Sequence, residues 1–198
     1  MDEFNVYLTG VGGQGIGLLS EILIRAADRT GFHVISVDTH GLAQRGGIVI
    51  SQLRMGDSVF SPLIPAGCAD LVVALERHEA LRGMQAFLKD RGALVYYDAV
   101  WQPLDVRLKK ASEVGKETIA ELCQSRGIRE IRIEWPILPD ARMQNIVILG
   151  TLDAYRLIPG IDTAYYEGAM QDLMTEKMLE GNLSLFRNVS ARLKDKPK

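Results

Sequence analysis

The segment that most restricts the fold lies at the start of the chain. Asn5-Val-Tyr-Leu-Thr9 has the apolar character of a short buried strand and runs directly into Gly10-Val-Gly-Gly-Gln-Gly15. An amphipathic helix follows, with Ile16, Leu19, Leu23 and Ala26/Ala27 at three- and four-residue spacing. Thr30-Gly31 closes it, since glycine takes the left-handed conformation that ends helices, and Phe32-His-Val-Ile-Ser-Val37 reads as a second strand. Strand, glycine turn, helix and strand in this order form a βαβ unit, which crosses right-handedly in nearly all sheets.

The rest of the chain continues the alternation. Asp38 to Gly47 reads as a loop, Ile48 to Arg54 as a third strand, and Asp70 to Leu75 as an apolar strand buried on both faces. Glu76 to Lys89 fits a helix, Gly92 breaks it, and Ala93 to Tyr97 is a further strand ending at Asp98. Pro103 to Val114 is polar and mixed and gives no clear pattern. A helix over Lys116 to Arg126 closes at Gly127, and Ile128 to Trp135 is the last strand. Asp140 is placed to N-cap a helix over Ala141 to Leu157, with two more helices over about 162–179 and 183–193. The pattern predicts a single α/β domain over 1–198. It is a three-layer, Rossmann-like domain with a mainly parallel sheet (about 4–135) and a C-terminal helical extension (about 140–194) packed on it.

Gly10-x-Gly-x-x-Gly15 matches the dinucleotide fingerprint in spacing and context, after a strand and before a helix. Glycines let the backbone approach a phosphate, and the free N–H groups of the helix start attract the anion. Asp38, at the end of the second strand, stands where a ribose-binding carboxylate is expected. A tight strand-to-helix crossing with no ligand accounts for the same spacing. The turn also carries an amide, Gln14, in its middle, and a second glycine-rich element, Ala43-Gln-Arg-Gly-Gly47, follows the second strand. Arg45 beside Gly46 and Gly47 can pair with a phosphate or carboxylate in fork geometry, or make a structural salt bridge in its loop.

With both elements in view the chain resembles a known family. Gly10-Val-Gly-Gly-Gln-Gly15, Gly41-Leu-Ala-Gln-Arg-Gly-Gly47 and Ser51-Gln-Leu-Arg54 are similar to the gamma-type domain of the 2-oxoacid:ferredoxin oxidoreductases. Ser61-Pro-Leu-Ile-Pro65, Ala69-Asp-Leu71, Leu75-Glu76, Glu79-Ala80 and Asn145-Ile-Val-Ile-Leu-Gly150 follow in the family's order, so the likeness spans about residues 4–190. The free-standing length resembles the small subunits of the indolepyruvate type. The resemblance implies a large partner subunit carrying thiamine diphosphate, Mg²⁺ and 4Fe-4S clusters. It also implies oxidative decarboxylation of an aryl-2-oxoacid, electrons passed to ferredoxin, and an acyl group transferred to coenzyme A. Gly10, Gly12, Gly13, Gln14, Gly15, Arg45, Gly46 and Gly47 would then bind the coenzyme A phosphates or contact the large subunit. No residue is assigned as catalytic, and no metal ligand is assigned to this chain.

Composition sets the outer limits. Twenty-three basic against 25 acidic residues give a net charge of −2, which lacks the positive field of a general nucleic-acid binder. No apolar run reaches the roughly 20 residues of a membrane-spanning helix, and Met1-Asp-Glu-Phe-Asn5 does not resemble a secretory leader, so a cytoplasmic protein is expected. Two cysteines, Cys68 and Cys123, fall short of the roughly four thiolates that an iron–sulfur cluster needs. A self-sufficient NAD(P)-dependent dehydrogenase or a nucleotide-sensing module are the alternatives. No proton-donor constellation after Asp98 supports the first.

The remaining polar and aromatic candidates have structural readings. Glu76, His78 and Glu79 sit where a strand meets a helix, where acidic residues complement the macrodipole. His40 could touch a ligand, Asp98 a turn, and Asn145 a loop or partner. Trp101 and Trp135 read as packing or interface residues, and Met143, Met170, Met174 and Met178 as core filling. The apolar, proline-stiffened segment from Val59 to Gly67 is the candidate docking patch, unless it folds onto its own core.

Overall fold

The first strand, β1 (Phe4–Val11), is buried on both sides and lies inside the sheet, between β3 and β4. Val6 and Leu8 enter one core and Tyr7 the other. The computed structural model of the protein describes residues 3–40, 47–101, 106, 108–109, 112–135 and 138–195. Six strands form one sheet: β1, β2 (Val34–His40), β3 (Ile48–Met55), β4 (Ala69–Ala74), β5 (Leu88–Tyr97) and β6 (Arg129–Ile133), in the order β2-β3-β1-β4-β5-β6. β1, β4, β5 and β6 are parallel neighbours. β3 runs antiparallel to both β1 and β2.

This placement of β3 revises the simple βαβ picture. α1 (Ile16–Asp28) carries the chain from β1 to β2 as expected, but β2 lands one strand further out, and β3 returns between them. Asp38, Thr39 and His40, read as loop, are strand residues paired with Ser51, Ile50 and Val49. β2 and β3 therefore pair as an antiparallel hairpin, and the connecting residues 41–46 lie outside the described residues. Sequence pattern does not reveal this, because a buried strand looks the same in either direction.

The helices complete three layers. On one side α1, α4 (Gln144–Ala154), α5 (Thr163–Leu173) and α6 (Glu176–Lys194) share a core with Val6, Leu8, Leu53, Leu71 and Val73. α1 packs its Leu19, Ile22, Leu23, Ala26 and Ala27 face there, all fully buried. On the other side α2 (Arg77–Ala86) and α3 (Lys116–Ser125) cover Tyr7, Val72, Ala74, Leu94 and Tyr96. Burial of a Leu or Ile side chain contributes about 1.5–3 kcal/mol, so these two cores dominate the fold's stability.

Several boundaries differ from the sequence reading, each for a local reason. α2 ends at Ala86, not Lys89, because Leu88 is already in β5 beside Ala69, with a register shift before Leu71 meets Ala93. A short 3-10 turn (Ala141–Met143), capped by the Asp140 carboxylate, leads into α4, which stops at Ala154. The predicted break near 180 falls instead at Met174-Thr175, so α6 starts at Glu176. Buried Asp153 joins these helices by accepting from Thr163 Oγ1 (2.7 Å), Ser190 Oγ and Lys194 Nζ (2.8 Å).

Gly150 is the closest point between α4 and α6: a Cβ there would lie 2.8 Å from Val189 Cβ and 2.9 Å from the Phe186 carbonyl oxygen. At Gly181 in α6 an added Cβ meets nothing within 4 Å. The same substitution should therefore act with opposite sign. Gly150→Ala should lower the melting temperature by roughly 2–4 °C or more, overpacking of about 1–3 kcal/mol outweighing the gain in helix propensity. Gly181→Ala should raise stability by about 0.5–1 kcal/mol, and thermal denaturation of both variants checks the pair.

Candidate functional site

The carboxyl edge of the parallel strands carries the first glycine-rich turn and Gly47 of the second element, and β1 and β4 are its centre. The helices that follow these two strands lie on opposite faces of the sheet, which makes the β1/β4 gap the place where open α/β sheets bind ligands. In this protein the gap is filled by one of its own side chains. Gln14, 1% exposed, folds back so that its Oε1 accepts from the Val11 N–H (2.7 Å) while its Nε2 donates to the Leu75 carbonyl (2.8 Å). The amide thus ties the end of β1 to the end of β4.

The surrounding glycines make room for that amide. A Cβ on Gly10 would sit 3.1 Å from Gln14 Oε1 and 2.9 Å from Ile16 Cγ1. Gly13 and Gly15 take φ of 101° and 84°, the left-handed region that favours glycine, and Gly15 is the N-cap of α1. A Cβ on Gly15 would lie 2.7 Å from Asn145 Nδ2, the same atom that donates to the Gly15 carbonyl at 3.2 Å. Asn145, in α4, therefore anchors the turn of this same chain. Gly12 N–H donates to the Gly47 carbonyl at 2.8 Å, which joins the first glycine turn to the start of β3.

The sequence grouped these residues as one surface for the coenzyme A phosphates or for the large subunit, and the structure divides them. Gly10, Gly12, Gln14 and Gly15 face their own chain. Gly13 and Gly17 have open space where a Cβ would stand, so the accessible part of the turn is the rim from Gly13 to the first turn of α1. Arg45 and Gly46 lie outside the described residues, as does the side chain of His40. Asp38 is two strands from β1, roughly 10 Å away at ordinary strand spacing, and accepts from Ser20 Oγ (3.1 Å), which also meets Ser51 Oγ at 2.6 Å. The ribose-binding position expected of Asp38 is not reproduced. Beside the rim, a cleft of about 380 Å³ is bounded by Gly15, Leu18, Arg142, Asn145, Met178 and Asn182. Arg142 there is held by the Asp140 carboxylate, whose pKa this pairing lowers to about 2.

Glu76, His78 and Glu79 stand on the same edge and serve the fold. Glu76 caps α2, accepting the Glu79 N–H at 2.9 Å and the Trp101 N–H at 3.2 Å. His78 Nε2 accepts from the Val114 N–H (3.2 Å), which places the ring proton on Nδ1, 2.8 Å from Glu76 Oε1. Arg77 holds Asp98 at 2.6 Å and the Val114 carbonyl at 3.2 Å. Together the three residues fasten both ends of the 98–114 segment to the start of α2. Glu79 is buried next to Thr9 Oγ1 (3.3 Å) and Arg82 (3.1 Å), and burial raises its pKa.

The opposite edge holds the predicted docking patch, and it is half buried in character. Val59 and Ile64 enter the protein, while Phe60 (88% exposed) and Leu63 (60%) point outward. Arg54 donates to the carbonyls of Ser61 (2.9 Å) and Leu63 (3.2 Å), and Gln52 Oε1 accepts from the Ile64 N–H at 2.7 Å. These supports were missed in the sequence reading. Their signal was two long polar residues at alternate positions of a largely apolar strand, Gln52 and Arg54.

Two outcomes test the carboxyl-edge description. Gln14→Ala strands the Val11 N–H and Leu75 carbonyl and should cost about 2–5 kcal/mol, read as a lowered denaturation midpoint; an unchanged midpoint would contradict the bridge. Because burial raises the Glu79 pKa, its charged form costs stability once pH rises through the native pKa. Glu79→Gln should therefore stabilise the protein near neutral pH and lose this advantage below the unfolded carboxyl pKa of about 4.3.

Comparison with known proteins adds an independent line. The chain is 34% identical to an indolepyruvate oxidoreductase subunit (IorB) of Archaeoglobus fulgidus, covering 93% of this chain and 92% of that one. It is 30% identical to the subunit of that name in Methanothermobacter thermautotrophicus, covering 94% and 95%. The fold matches the gamma subunit of a keto/oxoacid ferredoxin oxidoreductase from Geobacter sulfurreducens, with a TM-score of 0.66, 20% identity and coverage of 96% and 98%. It also matches a 2-oxoglutarate:ferredoxin oxidoreductase chain from Magnetococcus marinus (TM-score 0.69, 19% identity), covering all of this chain and 32% of that one. Residues 5–191 match the family model described as pyruvate ferredoxin/flavodoxin oxidoreductase, and the protein belongs to that family.

Proposed function

We propose that this chain is the small subunit of a heteromeric, cytoplasmic indolepyruvate:ferredoxin oxidoreductase. The observation that carries the reading is near end-to-end similarity to a protein of that name, 34% identity over 93% of this chain and 92% of the other. In this reading the large partner subunit holds thiamine diphosphate, Mg²⁺ and the 4Fe-4S clusters, and passes electrons to ferredoxin. The two cysteines of this chain support that division. Cys68 is exposed before β4, whereas Cys123 is buried in α3 with its thiol 3.5 Å from Met84 Sδ and its pKa pushed up to about 11 by burial.

This chain's own contribution lies at the rim from Gly13 to Gly17 and at the glycine-rich element that ends in Gly47, which is joined to the turn through Gly12. The first turn of α1 directs backbone N–H groups and the positive end of the helix outward, where an anion is favoured. The phosphates of coenzyme A fit that chemistry, and the cofactor supplies the thiol that accepts the acyl group. Arg45, two residues before Gly47 in the sequence, would add a bidentate cation. A second reading makes the same rim and element the contact with the large subunit. Its support is the open space beside Gly13 and Gly17, which lets another backbone approach.

Coexpression with the large subunit should give indolepyruvate-dependent ferredoxin reduction that requires coenzyme A. In that complex Gly17→Glu and Arg45→Ala should raise the KM for coenzyme A by about tenfold with co-purification intact. Loss of co-purification would instead favour the contact reading. Reduction of a nicotinamide coenzyme by the small chain alone would overturn the proposal.

A further inference from the structure

The outermost strand on the hairpin side, β2, has an open edge. Its seven residues pair with β3 without a bulge, and among the described residues nothing pairs with its other side. Edge strands are normally blunted by Lys or another charge, Pro, a bulge or a covering segment. Val34-Ile-Ser-Val-Asp-Thr-His40 carries neither Lys nor Pro. Its one carboxylate, Asp38, points to the α1 side, where Ser20 donates to it. On the opposite side Ile35 and Val37 are half-buried and Thr39 is exposed, and they stand beside Arg54, Gln52 and Ile50 of β3. Among the described residues α2 packs over β1, β4 and β5 and α3 over β6, and no helix packs over β2 and β3 on that side.

We propose that β2 pairs with β2 of a second copy of this chain, antiparallel about a two-fold axis through Val37, so that one sheet runs through both copies. The occupant follows from the charge pattern. Using the full strand length in a two-fold arrangement puts the axis at its fourth residue. It sets Val34 opposite His40, Ile35 opposite Thr39 and Ser36 opposite Asp38. No like charges meet, and the Ser36 hydroxyl can donate to the Asp38 carboxylate across the axis. The helix-free side gains a Val37–Val37 pair flanked by two Ile35–Thr39 pairs, the β-branched combination that suits facing strands. A shift of the axis by one residue to Asp38 would oppose two carboxylates, and such opposition is destabilising. The contact is isologous and closes on itself, so it yields a dimer and not a fibre. It does not depend on the proposed activity.

Size-exclusion chromatography with light scattering on the full chain, over a concentration series, should give twice the chain mass. Val37→Lys, which opposes two ammonium groups at the axis, should return it to a monomer, with the dissociation constant raised by roughly tenfold or more. Thr39→Lys, at an exposed position, should do the same without touching the core. In a Cys68→Ser background, mild oxidation of Val37→Cys should form an intermolecular disulfide between the two 37 positions, and Phe60→Cys should not cross-link. A single-chain mass at the highest soluble concentration would overturn the proposal. So would a dimer that both lysine variants leave intact, or Val37→Cys cross-linking only to a coexpressed large subunit.

Discussion

Gln14 spans the gap between β1 and β4, and much of the carboxyl edge depends on that one amide. It satisfies the Val11 N–H and the Leu75 carbonyl, two backbone groups that would otherwise be buried unpaired at the ends of central strands. Gly10 must lack a side chain for the amide to fold back, and Gly15 must lack one for Asn145 to reach the turn. Asn145 then ties the turn to α4, and the tight approach of α4 to α6 at Gly150 ties it to the helical layer. A motif with the spacing of a ligand cradle is here in large part a self-contained joint.

The inserted hairpin explains the other departures from a dinucleotide-binding arrangement. With β3 between β1 and β2, Asp38 is carried away from the glycine turn and is held by Ser20. In exchange, Gly47, just before β3, meets the glycine turn through Gly12. The same insertion leaves β2 at the margin of the sheet, with a helix layer on one side only. The same geometry therefore both moves Asp38 away from the glycine turn and leaves one side of β2 unpaired among the described residues.

Buried charge on this edge is structural as well. Glu76, Arg77 and His78 fasten the ends of the 98–114 segment through Trp101, Asp98 and Val114. On the opposite edge Arg54 and Gln52 hold the loop that presents Phe60 and Leu63. In each case a polar side chain within a strand or at a helix start satisfies the backbone of a connecting loop. That is the usual use of polar groups where loops cross a core.

Most elements were legible because local signals carry them. The period of α1, the apolar run of β4, the left-handed glycines at Gly31 and Gly127 and the Asp140 cap depend on neighbours in the chain. Family resemblance added the functional frame through Gly10 to Gly15, Ser51 to Arg54 and Asn145 to Gly150. The direction of β3, the position of Asp38 and the inward turn of Gln14 were not legible. Each is fixed by a partner far along the chain: β1 and β2 for β3, Ser20 for Asp38, and Leu75 for Gln14. By itself the sequence determined an α/β chain with a glycine turn at a strand-to-helix crossing. Only the tertiary structure decided which of those glycines face solvent, because that depends on side chains brought together by long-range packing.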